Sequence, residues 1–156
     1  MDSGIDCLNI NELPCKTRTS RVTEIRGTYY TMPGKHCLQD LLDAMAPYVD
    51  AFKFAGGSFS LMPSKSLHDL IAVCHAHDVK VSTGGFIEYV LTQGKEAVEQ
   101  YLIACKKAGF DLIAVSTVFV TLPTDHPLRM LARGQTRGLR AAPAASEATS
   151  ANAEIG

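Results

Sequence analysis

Two stretches decide the fold: DAFKFAGGSFS at residues 50–60 and VKVSTGGFIE at residues 79–88. Each is a short aromatic or β-branched run that stops at a glycine pair, Gly56-Gly57 in the first and Gly84-Gly85 in the second. Each leads into an apolar series with helical spacing, so each has the form of a βα unit, and repeated βα units build a parallel sheet. Working outward, the same pattern predicts strands at 21–25, 51–54, 79–82 and 112–115. The helices between them are carried by Leu38, Leu41, Leu42 and Met45, then by Leu67, Leu70, Ile71 and Cys74, then by Val98, Leu102, Ile103 and Cys105, all near the 3.6-residue period. Pro63-Ser64 and Ser66 punctuate the start of the second helix, and Gly109, after Lys106-Lys107-Ala108, suits a cap at the end of the third. A fourth helix is expected over 127–133 and a fifth strand over 139–141. The fold class is therefore α/β, with four to five βα units in series.

With 156 residues, 46% hydrophobic and 20% charged, the chain has apolar material for one soluble core. We expect an N-terminal extension over 1–15, the βα domain over 16–140 and a disordered tail over 141–156, AAPAASEATSANAEIG, which has almost no large apolar groups with which to offset its ordering entropy. A formal charge of -1 provides no global field to gather nucleic acid or an anionic membrane, so any anion must be held by a local constellation of groups. No apolar run approaches the roughly 20 residues of a membrane span, and the start, MDSGIDCLNINELP, lacks a signal pattern. Cysteines 7, 15, 37, 74 and 105 are odd in number and contain no CxxC pair, which is reduced-compartment usage. The expectation is a cytoplasmic protein whose partners are small molecules or other proteins, and whose cysteines act as small hydrophobes.

Lys53 lies inside an apolar strand and is followed by Gly56, Gly57 and Ser58. A buried ammonium is costly unless it emerges at the strand's C-terminal end, where bare glycine amides and a hydroxyl would join it in holding a phosphate or carboxylate. The alternative is a turn glycine pair beside a lysine that reaches solvent. Gly84 and Gly85 repeat the device one strand later, and in parallel α/β folds such loops converge at the ligand end of the sheet. Glu88 follows within a helical turn, placed either as a metal ligand or general base, or simply where the helix dipole favours a carboxylate. Arg26, at the end of the first strand, adds to an anion site or lies on a solvated edge, with Lys16, Arg18 and Glu24 alternating along the same segment. Thr28-Tyr29-Tyr30-Thr31 would line the mouth of the site or pack a loop. His75 and His77 are two apart on a helix, point to different sides and suit cap or surface roles better than a zinc pair.

Taken in order, KTR at 16–18, VTEI at 22–25, VDAFKFAGGSFSL at 49–61, CHAHDVKVSTGGFIEYVLTQG at 74–94 and GFDLIAVS at 109–116 resemble successive motifs of the phosphosulfolactate synthase family, and most closely its plant and fungal heat-stress-associated branch. The resemblance implies a (β/α)8 TIM barrel and a carbon–sulfur lyase-type reaction, the Mg²⁺-dependent addition of sulfite to phosphoenolpyruvate giving 2-phospho-3-sulfolactate. It implies Lys53 and Glu88 as catalytic, Glu88 as a Mg²⁺ ligand, and Gly56, Gly57, Ser58, Gly84 and Gly85 around the phosphate. The chain departs from the family at charged positions, with Gly27 and Ala114 where the synthases carry acids, and Ala142 and Ala144 at a Lys-Pro-Glu motif. A complete barrel takes about 250 residues, so four to five units make a partial one whose open sheet calls for a homo-oligomer or a partner. The alternatives are a non-catalytic stress protein acting through protein contacts and a truncated piece without independent function.

Overall fold

The structure, a computed structural model, describes residues 14–16, 18, 22–27, 33–115 and 140–143. Five parallel strands form one sheet in chain order: β1 (Glu24–Arg26), β2 (Ala51–Lys53), β3 (Lys80–Ser82), β4 (Leu112–Val115) and β5 (Arg140–Pro143). Helices α1 (Lys35–Met45), α2 (Ser64–Ala76), α3 (Ile87–Leu91) and α4 (Lys95–Ala108) fill the connections from β1 to β4. This is the architecture of a partial (β/α) barrel. One face of the sheet is apolar: Phe52, Val81 and Ile113 join Leu38 and Leu42 of α1, Leu70, Ile71 and Cys74 of α2, and Val98 and Leu102 of α4 in a single core. Alternation along each strand turns the neighbouring residues, Lys53 and Ser82 among them, to the opposite face.

Three sequence expectations need correction. The apolar stripes are wider than the face they bury, because Leu41, Met45 and Ile103 are 42%, 44% and 51% exposed while Leu38, Leu42 and Leu102 lie inside. The carboxylate-bearing turn after β3 is a separate short helix, α3, divided from α4 by Gly94, whose φ of 97° breaks the helical path. The fifth strand is Arg140–Pro143, extending beyond the expected 139–141 because all four residues of β4 find ladder partners there. The joints behave as expected: α2 opens at Ser64 after Pro63, and Gly109 closes α4 in the left-handed region at φ 100°. The expected helix over 127–133, the Thr28–Thr31 run, Cys7 and the last thirteen residues lie outside the described residues.

The bottom of the sheet is fixed by paired aspartates. Arg18 Nη1 donates to both Asp50 carboxylate oxygens at 3.0 and 2.9 Å, Arg18 Nε donates to the Pro14 carbonyl, and Asp50 also accepts the Thr23 amide at 2.8 Å. Asp111 repeats the arrangement two units later, accepting the Val81 amide at 2.8 Å and pairing with His75 Nε2 at 2.8 Å. His77 turns instead to Gln39 and Asp43 of α1, so the two histidines serve separate contacts.

The top is fixed by two glycines and a column of rings. Gly57 has φ 72°, and a Cβ there would stand 2.1 Å from the ring of Phe86, so the loop after β2 meets the loop after β3 with no room for a side chain. Gly84 has φ 62°, and its Cβ would stand 2.5 Å from the Phe54 carbonyl oxygen. Beneath these contacts Phe54, Phe110, Phe59 and Phe86 stack edge to face, with successive centroids 5.7, 5.0 and 5.4 Å apart. Such pairs add about 0.5–1.5 kcal/mol each beyond area burial.

Gly57→Ala combines left-handed strain with overpacking against Phe86, so chemical denaturation is expected to show a loss of about 3 kcal/mol. Gly34, at φ -70° with nothing within 4 Å of its Cβ position, is the control, and Gly34→Ala is expected to cost under about 1 kcal/mol.

Burial pushes the Cys74 thiol up to about 12, helped by the charge of Asp111, and burial pushes Cys105 up to about 11. A raised folded-state pKa favours the protonated native state. The stability these thiols contribute is therefore complete below the unfolded thiol value of about 8.5 and declines as pH rises towards 11–12. Denaturation midpoints measured from pH 7 to 11 should fall at the alkaline end, and less steeply in Cys74→Ala than in the parent.

Candidate functional site

Register decides which side chains meet at the open face of the sheet. Arg26 pairs with Lys53, Lys53 with Ser82, and Ser82 with Leu112, so these residues form one row across β1 to β4. The row lies at the C-terminal ends of β1, β2 and β3, the end at which parallel α/β folds bind ligands. Beyond it the ladder continues into the loops, with the Gly27 amide donating to Lys53 O at 2.9 Å and the Phe54 amide donating to Ser82 O at 3.0 Å.

Lys53 is the centre of this row. Its side chain is 17% exposed and its ammonium is ion-paired with Glu24, whose side chain is 27% exposed. Glu24 stands one step lower on β1, in register with Ala51, whose small side chain leaves space for the carboxylate to reach diagonally to Lys53. Gly84 completes the setting, because a Cβ there would lie 3.5 Å from Lys53 Cγ. The loop after β3 thus lies against the lysine stem, and the ammonium is directed along the open face.

The other predicted residues divide into two groups. Gly57 and Gly84 are buried where the two loops interlock, while Gly56 and Gly85 are exposed. Ser58 is half-buried and Arg26 is exposed on the edge strand. Glu88 sits in the first turn of α3 and is only 5% exposed. Gly57 and Gly84 therefore have a packing role between the two loops, which the sequence reading did not foresee. Glu24 was not singled out by sequence reasoning, yet it is the carboxylate that meets Lys53. Its signal was present as the i,i+2 spacing of Glu24 and Arg26, which sets both on one face of β1. Ser82, 0% exposed, lies beside Lys53 in the same row.

The resemblance implied Mg²⁺ with Glu88 among its ligands. A hard cation needs several oxygen donors drawn together. Among the described residues no three His, Cys, Asp or Glu side chains converge in that way, and the Glu24 carboxylate is engaged by Lys53. The described residues do not fit a magnesium site. Among them, too, no helix is long and apolar enough to cross a membrane.

The chain is 38% identical to Protein HEAT-STRESS-ASSOCIATED 32 of Arabidopsis thaliana over 130 residues, which are 83% of this chain and 46% of that protein. It is 24% identical to the phosphosulfolactate synthase of Methanothermobacter thermautotrophicus over 98 residues, 63% of this chain and 38% of the synthase. The chain thus spans less than half the length of these curated relatives. A family described as (2R)-phospho-3-sulfolactate synthase (ComA) matches residues 11–154, nearly the whole sequence. A parallel sheet in chain order, glycine-ended second and third strands and a match of this extent lead to one conclusion: the chain belongs to the (2R)-phospho-3-sulfolactate synthase (ComA) family.

Proposed function

We propose that the chain binds a small phosphorylated carboxylate of the phosphoenolpyruvate type at the open face beside Lys53, with sulfite addition as the family reaction behind it. The observation that carries this reading is the Lys53 ammonium, held at the C-terminal end of an interior strand in the same row as Arg26. Two cationic side chains at the ligand end of a parallel sheet, under a loop whose glycine lies against the lysine stem, suit a ligand with adjacent phosphate and carboxylate groups.

In the family reaction, the sulfur lone pair of sulfite forms a bond to the methylene carbon. The double-bond electrons move to the phosphate-bearing carbon and into the carboxylate, and that carbon then takes a proton. Lys53 would offset the negative charge that accumulates on the carboxylate, a role that strengthens in the transition state. Glu88 is the candidate for the proton transfer. Gly56, Gly57, Ser58, Gly84 and Gly85 would shape the loop around the phosphate, with Arg26 at its rim.

A second reading is favoured by one observation, the higher identity to a relative named for heat stress than to the synthase. On that reading the chain keeps the fold and acts in stress tolerance through protein contacts, without turnover. Calorimetric titration with phosphoenolpyruvate, run beside a sulfite-dependent turnover assay, separates the two. Binding is expected in the parent and should weaken about tenfold to a hundredfold in Lys53→Ala, the effect of losing one charge-assisted contact. Binding with turnover supports the synthase reading, binding without turnover leaves a ligand-regulated stress protein, and no binding by folded protein removes the anion site.

A further inference from the structure

We infer that Glu24 is a specificity-determining residue of this site: it stands as the internal counter-charge of Lys53 and imposes a penalty that rises with the negative charge of an incoming ligand. The inference rests on the anion-binding reading of Lys53 given above and adds to it a residue which that reading does not use.

The argument begins with the register. Glu24 and Arg26 share one face of β1, and Lys53 lies level with Arg26 on β2, so Lys53 has a cation beside it and an anion diagonally below. The directly opposed neighbour of Glu24 is Ala51, which leaves the carboxylate free to lean towards the ammonium rather than towards a side chain of its own row. The contact is an ion pair with both side chains partly solvent-exposed, 17% for Lys53 and 27% for Glu24. Partly solvated pairs contribute little to stability and exchange partners readily. A buried, fully satisfied pair would be a structural rivet, and Arg18–Asp50, at 3% and 10% exposed, is the example within this chain. The Glu24–Lys53 pair has the opposite character, since it lies towards the C-terminal ends of β1 and β2 and neither partner is sealed from water.

A ligand anion reaching Lys53 therefore meets a cation already neutralised. It must displace the carboxylate or share the ammonium with it, and in either case it feels repulsion from Glu24 that grows with its own charge. A monoanion gains little by the exchange. A ligand with phosphate and carboxylate together competes effectively, because it engages Lys53 and the neighbouring Arg26 at once. Glu24 thus weighs most heavily on multiply charged ligands and admits those that engage Lys53 and Arg26 together.

The experiment is calorimetric titration of the parent, Glu24→Gln and Lys53→Ala with three probes: acetate, inorganic phosphate and phosphoenolpyruvate. Glu24→Thr, with a strand-compatible side chain, serves as a second neutral variant should the glutamine form fail to fold. Removing the counter-charge is expected to tighten phosphoenolpyruvate binding by about tenfold and acetate binding by much less, in line with the charge dependence of a nearby repulsive group. Lys53→Ala should weaken phosphoenolpyruvate binding about tenfold to a hundredfold. Equal or weaker affinity in the neutral variants, while Lys53→Ala still weakens binding, overturns the inference alone. A gain of equal size for acetate and phosphoenolpyruvate overturns it as well, because a repacked loop and not a charge would then be responsible. Absence of binding in the parent and in both neutral variants removes the anion-site reading and this inference with it. Binding that appears only in the neutral variants supports the inference in its strongest form.

Discussion

The close approach of Gly84 to the Phe54 carbonyl oxygen governs how the ligand end of this sheet is assembled. No side chain fits between the two, so the backbone leaving β3 lies directly on the backbone leaving β2. Gly57 makes the reciprocal contact with Phe86, and the rings of Phe54, Phe110, Phe59 and Phe86 form the floor on which both loops rest. With the loops fixed in this way, the Lys53 stem has Gly84 on one side and its ammonium emerges along the open face. Were the loops to separate, the same lysine would be an ordinary solvated cation at a strand end.

The two ends of β2 carry opposite electrostatic devices. At the N-terminal end Asp50 is nearly sealed from water, accepts from both Arg18 and the Thr23 amide, and fastens the segment before β1 to the sheet. Removing one partner of such a pair leaves an uncompensated buried charge, which is why pairs of this kind hold structure together. At the C-terminal end Lys53 and Glu24 remain in reach of solvent. The two pairs differ in burial, 3% and 10% exposed for Arg18–Asp50 against 17% and 27% for Lys53–Glu24.

The sheet was largely legible in the sequence, and for a clear reason. Phe52, Val81 and Ile113 recur at strand spacing, Leu38 with Leu42 and Val98 with Leu102 at helical spacing, and both periods follow directly from backbone geometry. What the pattern could not show was how much of each apolar stripe is covered, hence the exposed Leu41, Met45 and Ile103, nor that Gly94 would detach α3 from α4. At the site, Lys53 was recognisable because a cation inside an apolar strand is conspicuous. Its partner was not, because the pairing of Glu24 with Lys53 depends on the register between two strands separated by a whole helix. The glycine pairs suggested a cradle of amides, whereas Gly57 and Gly84 are needed for contacts with Phe86 and Phe54 that lie far from them in sequence.

In this sheet spatial order equals chain order, β1 to β5, each strand lying beside its sequence neighbours. Each strand then pairs with the unit made just before it and the one made just after, so the loop closed at every step is short and its entropic cost small. Such a chain can assemble in the order of its synthesis, each βα unit docking on an edge already formed. The same adjacency runs in reverse on unfolding: edges open first, and amide hydrogens of the interior strands exchange last. Lys53, on interior β2, would belong to the most slowly exchanging part, while Glu24 sits on an edge strand. The two halves of one ion pair thus live on different clocks, and local fraying of β1 alone would release the lysine without disturbing the strand that carries it.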